Sequence, residues 1–349
     1  MFKPNNKNQK LYKLLIIGLA FTVIQHAQPL RAQDESVPPE AAIIPSKEIK
    51  ATKRWRIAFF PKNDRFAFSL KKEVLTTWEL AWNSMKQAAL EYGVEVRSVC
   101  PEKACKSDFD CVEPQIRLIA DSIKQGNVDG MIVVPFDSNR LAPIVEKAIS
   151  AGIPVTGFDT FINSDKVTFV SINNFEASKA MGQWAVKKMG GRGNVVILEG
   201  DPSNEHSVIR RNGFLAGLAT GHIKVLGMKT ARWQEIEAKE IVAGWLKKYS
   251  NIDMIIAASD GMALGAANAV AEANRSDISI TGFDGWPIMF KAIRSGKIAA
   301  TINQDIESQA RFALQLLVRH LERGETFPSV VYLPKLELIS KDNIGDYLD

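Results

Sequence analysis

A short pattern occurs twice in the chain, as VTGFD at residues 155–159 and as ITGFD at residues 280–284. Each copy begins with β-branched residues, which favour a strand, and ends in an aspartate. In a doubly wound sheet, ligands bind outside the carboxyl ends of the strands. Asp159 and Asp284 therefore occupy positions where a ligand is expected. The glycine in each copy predicts either a close approach by a neighbour or an unusual dihedral angle.

Strand-like apolar runs alternate with amphipathic helical patterns from residue 54 to about residue 327. The predicted strands are 55–60, 94–99, 130–134, 153–158, 167–171, 194–199, 223–228, 254–258, 278–283 and 298–302. The predicted helices are 74–92, 113–125, 139–151, 175–189, 205–219, 235–249, 262–273, 286–295 and 305–323. The strand at 130–134 is apolar on both faces, as expected for a parallel sheet covered by helices. This alternation predicts an α/β fold with two doubly wound parallel-sheet lobes.

The N-terminus has the pattern of an export signal. Four lysines precede an apolar run at 14–24, which is too short to span a bilayer as a helix. We predict a signal peptide at 1–32, with cleavage after Ala32, and a proline-containing flexible lead-in at 33–53. An uncleaved membrane anchor is the alternative. The protein is accordingly expected in the periplasm or another extracytoplasmic space.

The net positive charge of the chain comes from its first 32 residues. They contain five basic residues and no acid, and the formal net charge of the whole chain is +5. The rest of the chain is therefore close to neutral, and nucleic acid is not an expected partner. Since no second apolar span follows, we expect no stable membrane insertion after cleavage.

Three cysteines lie close together, at Cys100, Cys105 and Cys111. Outside the cytoplasm, we expect one local disulfide and one free thiol. Which two cysteines pair is left open. The spacing lacks a C-x-x-C pair and has no nearby histidine, so no metal site is expected.

Motifs typical of enzymes are absent from the sequence. It contains no G-x-S-x-G elbow, H-E-x-x-H pair, P-loop or G-x-G-x-x-G loop. We therefore predict a protein that is not an enzyme and has no cofactor, with an extracytoplasmic hydrolase as a remote alternative.

Several segments together resemble the ribose-binding type of periplasmic binding protein. They are 129–135, 152–155, 210–214, 259–265, 282–285 and 299–302. The resemblance covers about 54–343 and implies the type I periplasmic-binding-protein fold, with a three-segment hinge between its two lobes.

The resemblance also implies boundaries for the lobes. The crossovers are expected near 157–160, 281–286 and 301–305. The N-terminal lobe would then be 54–157 plus 285–301, and the C-terminal lobe 160–281 plus 304–335. Residues 336–349 are expected to be a C-terminal tail.

The same resemblance places ligand contacts on particular residues. Asp159 and Asp284 match positions that bind sugar hydroxyls, for which carboxylates make strong charge-assisted hydrogen bonds. A turn-capping role is the alternative for each. Trp78 and Trp233 match aromatic residues that stack on a sugar ring. Trp78 also shares helical spacing with Trp82, which is typical of a core stripe, and we assign Trp82 to the core.

Further polar positions complete the expected site. Arg210 matches an arginine that binds paired oxygens, with a salt-bridged surface role as the alternative, and the adjacent Arg211 is expected on the surface. Asp260 is either a ligand contact or the N-cap of the following helix. The remaining predicted contacts are Asn174, Gln304, Thr160 and Asn204. His206, in the same loop as Asn204, is more simply interpreted as solvated.

The expected function is binding of a small polar solute, a monosaccharide or a polyol, by closure of the lobes. The ligand would pass to an ABC-type permease, and a membrane sensor kinase or chemoreceptor is the alternative partner. The protein is expected to be a monomer. Thr160 and Val134 stand where ribose binders carry an arginine and an asparagine, so the ligand is expected to differ from ribose.

Overall fold

The computed structural model describes residues 49–62, 77–100 and 108–347. All of these lie in one unit of the chain, residues 40–349. The predicted signal peptide, most of the lead-in, and Cys105 lie outside the described residues. Among the described residues, Cys111 is disulfide-bonded and Cys100 is a free thiol.

The described residues form twelve strands and nine α-helices. The strands are β1 (Arg56–Phe60), β2 (Glu95–Ser98), β3 (Gly130–Val133), β4 (Val155–Phe158), β5 (Thr168–Ser171), β6 (Arg192–Glu199), β7 (His222–Thr230), β8 (Met254–Ala257), β9 (Ser279–Asp284), β10 (Ala300–Asn303), β11 (Val330–Tyr332) and β12 (Glu337–Ser340). The helices are α1 (Thr77–Tyr92), α2 (Asp108–Gln125), α3 (Ala142–Ser150), α4 (Asn174–Lys188), α5 (Glu205–Leu218), α6 (Glu235–Lys248), α7 (Asp260–Glu272), α8 (Pro287–Ser295) and α9 (Ile306–Arg323). Every predicted strand and helix has a counterpart among them.

The strands make two six-stranded sheets. The first has the order β11-β5-β4-β3-β1-β2 and the second the order β12-β10-β9-β8-β6-β7. All neighbouring strands run parallel except β10 and β12, which are antiparallel. We call each sheet with its covering helices a lobe. The predicted fold class, two doubly wound α/β lobes, is confirmed.

The first sheet is covered on both faces, as its apolar strands predict. On β3, Ile132 packs in a cluster with residues of α1 and α9. Its neighbours Met131 and Val133 point to the opposite face and pack with α2 and α3. The second sheet packs in one cluster with α4 to α8.

The division of the chain between the lobes differs from the predicted one. Strand β5 was expected in the C-terminal lobe, but it pairs with β4 in the first sheet. Helix α8, expected in the N-terminal lobe, buries Met289 and Ile293 in the core of the second. Helix α9, expected in the C-terminal lobe, packs instead on the first sheet.

The connections between the lobes follow from these memberships. The chain passes from the first lobe to the second between β5 and α4 and returns between β10 and α9. It passes to the second again between β11 and β12. Only the predicted crossover at 301–305 coincides with one of these connections. The predicted tail at 336–349 is also corrected, because β12 pairs with β10 and completes the second sheet.

None of the helices in the described ranges is both long enough and apolar enough to cross a membrane.

Candidate functional site

The two repeated patterns end at the carboxyl edges of different sheets. Asp159 directly follows β4 in the first lobe, and Asp284 is the last residue of β9 in the second. Both have positive φ angles, 60° and 133°. Residues other than glycine rarely adopt this region, and such backbone strain is concentrated at functional sites.

The glycines of the two patterns are needed for close approach rather than for their own dihedral angles. A Cβ atom at Gly282 would lie 2.2 Å from Oδ1 of Asp260. One at Gly157 would lie 3.0 Å from the carbonyl oxygen of Val133. The second pattern therefore needs glycine because a buried carboxylate occupies the space beside the strand.

Arg210, on α5, connects the polar residues of the second lobe. Its guanidinium donates hydrogen bonds to Oδ1 of Asn174 (2.9 Å), Oδ1 of Asp284 (3.3 Å) and Oε1 of Gln304 (3.1 Å). A further bond goes to the carbonyl oxygen of Ala258. Arg210 is buried, so the alternative of a surface arginine is wrong. Four of the predicted contacts thus form one hydrogen-bonded cluster.

Burial controls the ionisation of this cluster. It lowers the pKa of Arg210 and raises the pKa of Asp284 well above its usual value, because each charged form loses its hydration. The two side chains form an ion pair at 3.3 Å that offsets part of this penalty. Gln304 also donates to Oδ1 of Asp284 at 3.0 Å. One carboxylate oxygen of Asp284 thus already accepts two hydrogen bonds.

Asp260 is not the N-cap of α7, which was one of its two predicted roles. The N-cap of α7 is Ser259, whose side chain accepts a hydrogen bond from the backbone of Met262. Asp260 is fully buried, and its carboxylate accepts three hydrogen bonds from the protein. These are the backbone N–H groups of Gly285 (2.8 Å) and Trp286 (2.8 Å) and the hydroxyl of Thr301 (2.6 Å). It therefore fixes the turn that follows Asp284, and burial raises its pKa to about 6.

Asp159 is held from both lobes. The hydroxyl of Thr160 donates to Oδ2 of Asp159 at 2.7 Å. The backbone N–H of Asp159 donates to the side-chain oxygen of Gln309 in α9. Nε2 of His206, from the second lobe, contacts its carbonyl oxygen. The hydroxyl of Thr160 therefore orients the carboxylate of Asp159.

His206 is buried, so its interpretation as a solvated loop residue is wrong. Because Nε2 faces a carbonyl oxygen, this nitrogen carries the proton, and Nδ1 has no partner among the described residues. Burial lowers the pKa of His206 to about 4, and the positive charges of Arg210 and Lys62 act in the same direction. The burial of His206 could not be predicted from the sequence, because a single histidine in a polar segment forms no recognisable pattern.

The tryptophans divide between the core and the site. Trp82 stacks on Phe59 at 6.0 Å, as expected for a core residue. Trp78 is half-buried and lies 6.4 Å from the ring of Phe158, the residue before Asp159. It belongs to the wall of the first lobe and borders the strand end that carries Asp159.

Trp233 lies beside the Arg210 cluster. Its ring centroid is 5.8 Å from the guanidinium carbon of Arg210, which also lies 3.7 Å from the ring of Phe283. Trp233 has a φ of 65°, and Gly200 leaves room for its ring, since a Cβ there would lie 2.0 Å from the indole. Its buried Nε1 atom has no partner among the described residues.

Two further predicted positions have structural roles. Asn204 is the N-cap of α5, where its side-chain oxygen accepts the backbone N–H of His206 at 3.0 Å. Arg211 is partly exposed and pairs with Glu199 at 3.4 Å, as expected for a surface arginine.

A direct bond joins the lobes next to the site. Nε1 of Trp286 donates to Oγ1 of Thr77 at 2.9 Å, and both residues are buried. Trp286 lies two residues after Asp284, and Thr77 is the first residue of α1. We call this pair the Thr77–Trp286 latch. Sequence reasoning missed it, because no local pattern relates residues 209 positions apart.

The chemistry of the cluster is that of recognition. Carboxylate, amide and guanidinium groups present acceptors and donors that can bridge neighbouring hydroxyls. Within the described ranges, no three histidine, cysteine or acidic side chains are grouped so that they could hold a metal ion.

Comparison with known proteins identifies similar chains. The model of the periplasmic binding protein domain family matches residues 66–326. A D-ribose/D-allose-binding protein of Pseudomonas aeruginosa is 28% identical over 220 residues, 61% of this chain and 68% of that protein. A xylitol-binding protein of Mycolicibacterium smegmatis is 33% identical over 229 residues, 64% of this chain and 64% of that protein.

A solved structure agrees with these similarities. It is an ABC transporter periplasmic solute-binding protein of Actinobacillus succinogenes with bound D-allose. The two structures superimpose with a TM-score of 0.75 and share 25% sequence identity, and the alignment covers 84% of this chain and 100% of the other.

Proposed function

Because this chain belongs to the periplasmic binding protein family, we propose that it binds a small polyhydroxylated solute between its two lobes and delivers it to an ABC-type permease. The protein is exported through its N-terminal signal peptide and acts outside the cytoplasm. It releases the ligand chemically unchanged. Hydroxyl groups of a sugar or polyol suit a site built of carboxylates, amides and a guanidinium.

One observation carries this proposal. Asp159 and Asp284 end equivalent strand patterns in different lobes, and both lie beside Arg210 closely enough to alter its pKa. A ligand that reaches both aspartates contacts both lobes. Such a ligand favours the arrangement in which the lobes are close together, since it gains its contacts only there.

The side chains of the site also support a carbohydrate as the ligand. The Arg210 cluster is fixed by its own hydrogen bonds before ligand arrives, which reduces the entropy lost on binding. Trp233 and Trp78 supply flat apolar surfaces suited to the C–H face of a sugar ring. These residues, with Asn174 and Gln304, are the contacts that we propose.

The test is direct binding. A thermal-shift screen over pentoses, hexoses, polyols and sugar acids should identify a ligand, because a ligand bound only to the native state raises its stability. Calorimetric titration should then show that Asp159→Asn and Asp284→Asn each weaken binding by about tenfold or more, as expected for a lost hydrogen bond to a charged group. Asp277→Asn is the control, since Asp277 is exposed and pairs with Arg275 on the second lobe.

Two outcomes contradict the proposal. Equal affinity in all three variants would remove the aspartates from the site. Conversion of the ligand during prolonged incubation, followed by mass spectrometry, would indicate an enzyme. Uptake of labelled ligand by cells that lack the gene tests the partner, because uptake that remains normal while the transcriptional response is lost favours a sensor.

A further inference from the structure

A buried glutamine lies where the chain returns from the second lobe to the first. Gln309 is the fourth residue of α9, and its exposed fraction is 0%. An amide group in such a position is unfavourable unless its polar atoms are hydrogen-bonded. The partners of this side chain therefore indicate which parts of the molecule it holds in place.

One end of the Gln309 amide binds the strand end of the first lobe. Its Oε1 atom accepts a hydrogen bond from the backbone N–H of Asp159 at 3.2 Å. The same N–H is shared with the carbonyl oxygen of Val170 on β5, at 3.1 Å. Asp159 has a φ of 60°, a conformation that persists only where the surrounding contacts maintain it. The two acceptors together hold the peptide group from which the side chain of Asp159 projects.

The other end of the amide binds the connection between β10 and α9. Nε2 of Gln309 donates to the carbonyl oxygen of Gln304 at 2.6 Å. The side chain of Gln304 in turn binds Asp284 and Arg210, at 3.0 Å and 3.1 Å. Gln304 therefore joins Gln309 to the hydrogen-bonded cluster of the second lobe.

A continuous series of hydrogen bonds thus runs from one lobe to the other. It begins at Asp159, passes through the side chain of Gln309 and through Gln304, and ends at Asp284. Asp159, Gln304 and Gln309 are all buried, where a low local dielectric strengthens hydrogen bonds. Because the amide of Gln309 is planar, its bonds to the two lobes depend on a single orientation of the side chain.

We propose that Gln309 is a positioning residue, which sets the placement of Asp159 relative to Asp284 through the peptide group of Gln304. This inference rests on the proposed function, in which the solute must reach both aspartates. A solute that binds the two at once requires one arrangement of the connection between the lobes. Gln309 stabilises that arrangement and acts on affinity through Asp159 and Gln304.

Nuclear magnetic resonance tests the coupling without any solute. Gln309→Met keeps the length of the side chain and removes both of its polar atoms. The backbone amide signal of Asp159 should shift, because it loses one acceptor. The side-chain Nε–H signal of Arg210 should shift as well, because Arg210 donates to Gln304. A merely local packing defect around residue 309 would leave the Arg210 signal in place.

The same helix provides the matched control. Gln315 is also a buried glutamine of α9, but its Nε2 atom lies 3.4 Å from the hydroxyl of Tyr92 on α1, within the first lobe. Gln315→Met should lower the thermal stability without moving the Asp159 or Arg210 signals.

Calorimetric titration tests the effect on affinity. D-Ribose, D-allose, xylitol and myo-inositol serve as probes at pH 7.5. For each probe that binds the wild type, Gln309→Met should weaken binding by about tenfold, which corresponds to the loss of one buried hydrogen bond. Gln315→Met should bind each probe with the affinity of the wild type.

Gln309→Glu separates positioning from packing through its dependence on pH. A protonated carboxyl group can accept from Asp159 and donate to the carbonyl oxygen of Gln304, as the amide does, whereas the ionised group has no donor. Burial raises the pKa of such a carboxyl group. The affinity of Gln309→Glu, divided by that of the wild type at the same pH, should therefore be near one at pH 5 and about tenfold lower at pH 8. The corresponding ratio for Gln309→Met should be low at both.

The outcomes distinguish this inference from the proposed function. Wild-type affinity in Gln309→Met, an unmoved Arg210 signal, or the same ratio for Gln309→Glu at both pH values would each overturn the role of Gln309 and leave the proposed function intact. If the Arg210 signal shifts while none of the four probes binds the wild type, the coupling stands and the result counts against the proposed function.

Discussion

Removing the hydroxyl of Thr77 tests whether contact between the lobes contributes to affinity. In the structure this hydroxyl accepts the indole N–H of Trp286 at 2.9 Å, and the exposed fractions of Thr77 and Trp286 are only 9% and 5%. Thr77→Val keeps the branched shape and removes the acceptor. The indole N–H would then be buried without a partner when the lobes meet, but hydrated when they part.

The size of the effect follows from that asymmetry. A buried donor left without a partner costs about 1–3 kcal/mol. The penalty applies only to the state in which the lobes are in contact, so the equilibrium between the states shifts by about 5- to 150-fold. Where the lobes are mostly apart without ligand, the apparent dissociation constant rises by the same factor, because binding must supply the energy of closure.

The matched control is Thr156→Val. Thr156 is also buried, and its hydroxyl donates to the carbonyl oxygen of Ala313 at 3.2 Å, entirely within the first lobe. This variant should lower the thermal stability and leave the ligand affinity unchanged. Calorimetric titration of both variants distinguishes the two roles. Equal affinities for Thr77→Val and the wild type would refute the contribution of the latch.

Three other perturbations address the second lobe and its buried histidine. Asp260→Asn should reduce the free energy of unfolding in urea by about 3 kcal/mol, because at least one charge-assisted bond from a backbone N–H is lost; an unchanged midpoint would contradict the positioning role of Asp260. Gly282→Ala should destabilise by about 1–3 kcal/mol, since its Cβ would lie 2.2 Å from that carboxylate. The control is Gly244→Ala, which has no neighbouring atom within 4 Å of the added Cβ and should stabilise the protein by about 0.5–1 kcal/mol. A similar change in the free energy of unfolding for Gly282→Ala and Gly244→Ala would contradict the packing argument. His206 has a pKa of about 4 in the folded state against 6.5 for the ordinary side chain, so stability should fall as the pH falls from 6.5 towards 4. Between pH 7.5 and pH 5.5, the free energy of unfolding of the wild type should fall by about 1 kcal/mol more than that of His206→Gln. Parallel plots of unfolding free energy against pH for the two proteins would contradict this prediction.

The alternation of strand and helix patterns was sufficient to predict the fold class and the first ten strands. It did not predict β11 and β12, which have three and four residues and lie beyond the last long helix. Such short strands carry little periodicity of their own. The lobe to which a strand belongs depends on its hydrogen-bonding partner. Thr168–Ser171 has the same apolar pattern in either sheet, and only its pairing with β4 assigns it to the first.

The candidate site was predicted where residue type and strand end coincide. Asp159 and Asp284 were identified in this way, whereas Arg210 was predicted from the family resemblance. The structure brings Asp284 and Arg210 into contact. The role of Asp260 could not be predicted, because one of its partners, Thr301, lies 41 positions further along the chain.

The carboxylate of Asp260 connects the site to the contact between the lobes. It lies against Gly282 in the strand that carries Asp284, and it also binds the backbone N–H of Trp286, whose indole forms the latch with Thr77. A displacement of Asp284 by ligand therefore acts on the same turn that positions the latch. Since the turn is fixed by buried hydrogen bonds, it moves as a unit with the second lobe. This arrangement explains why a carboxylate with three protein donors is buried at the centre of the site.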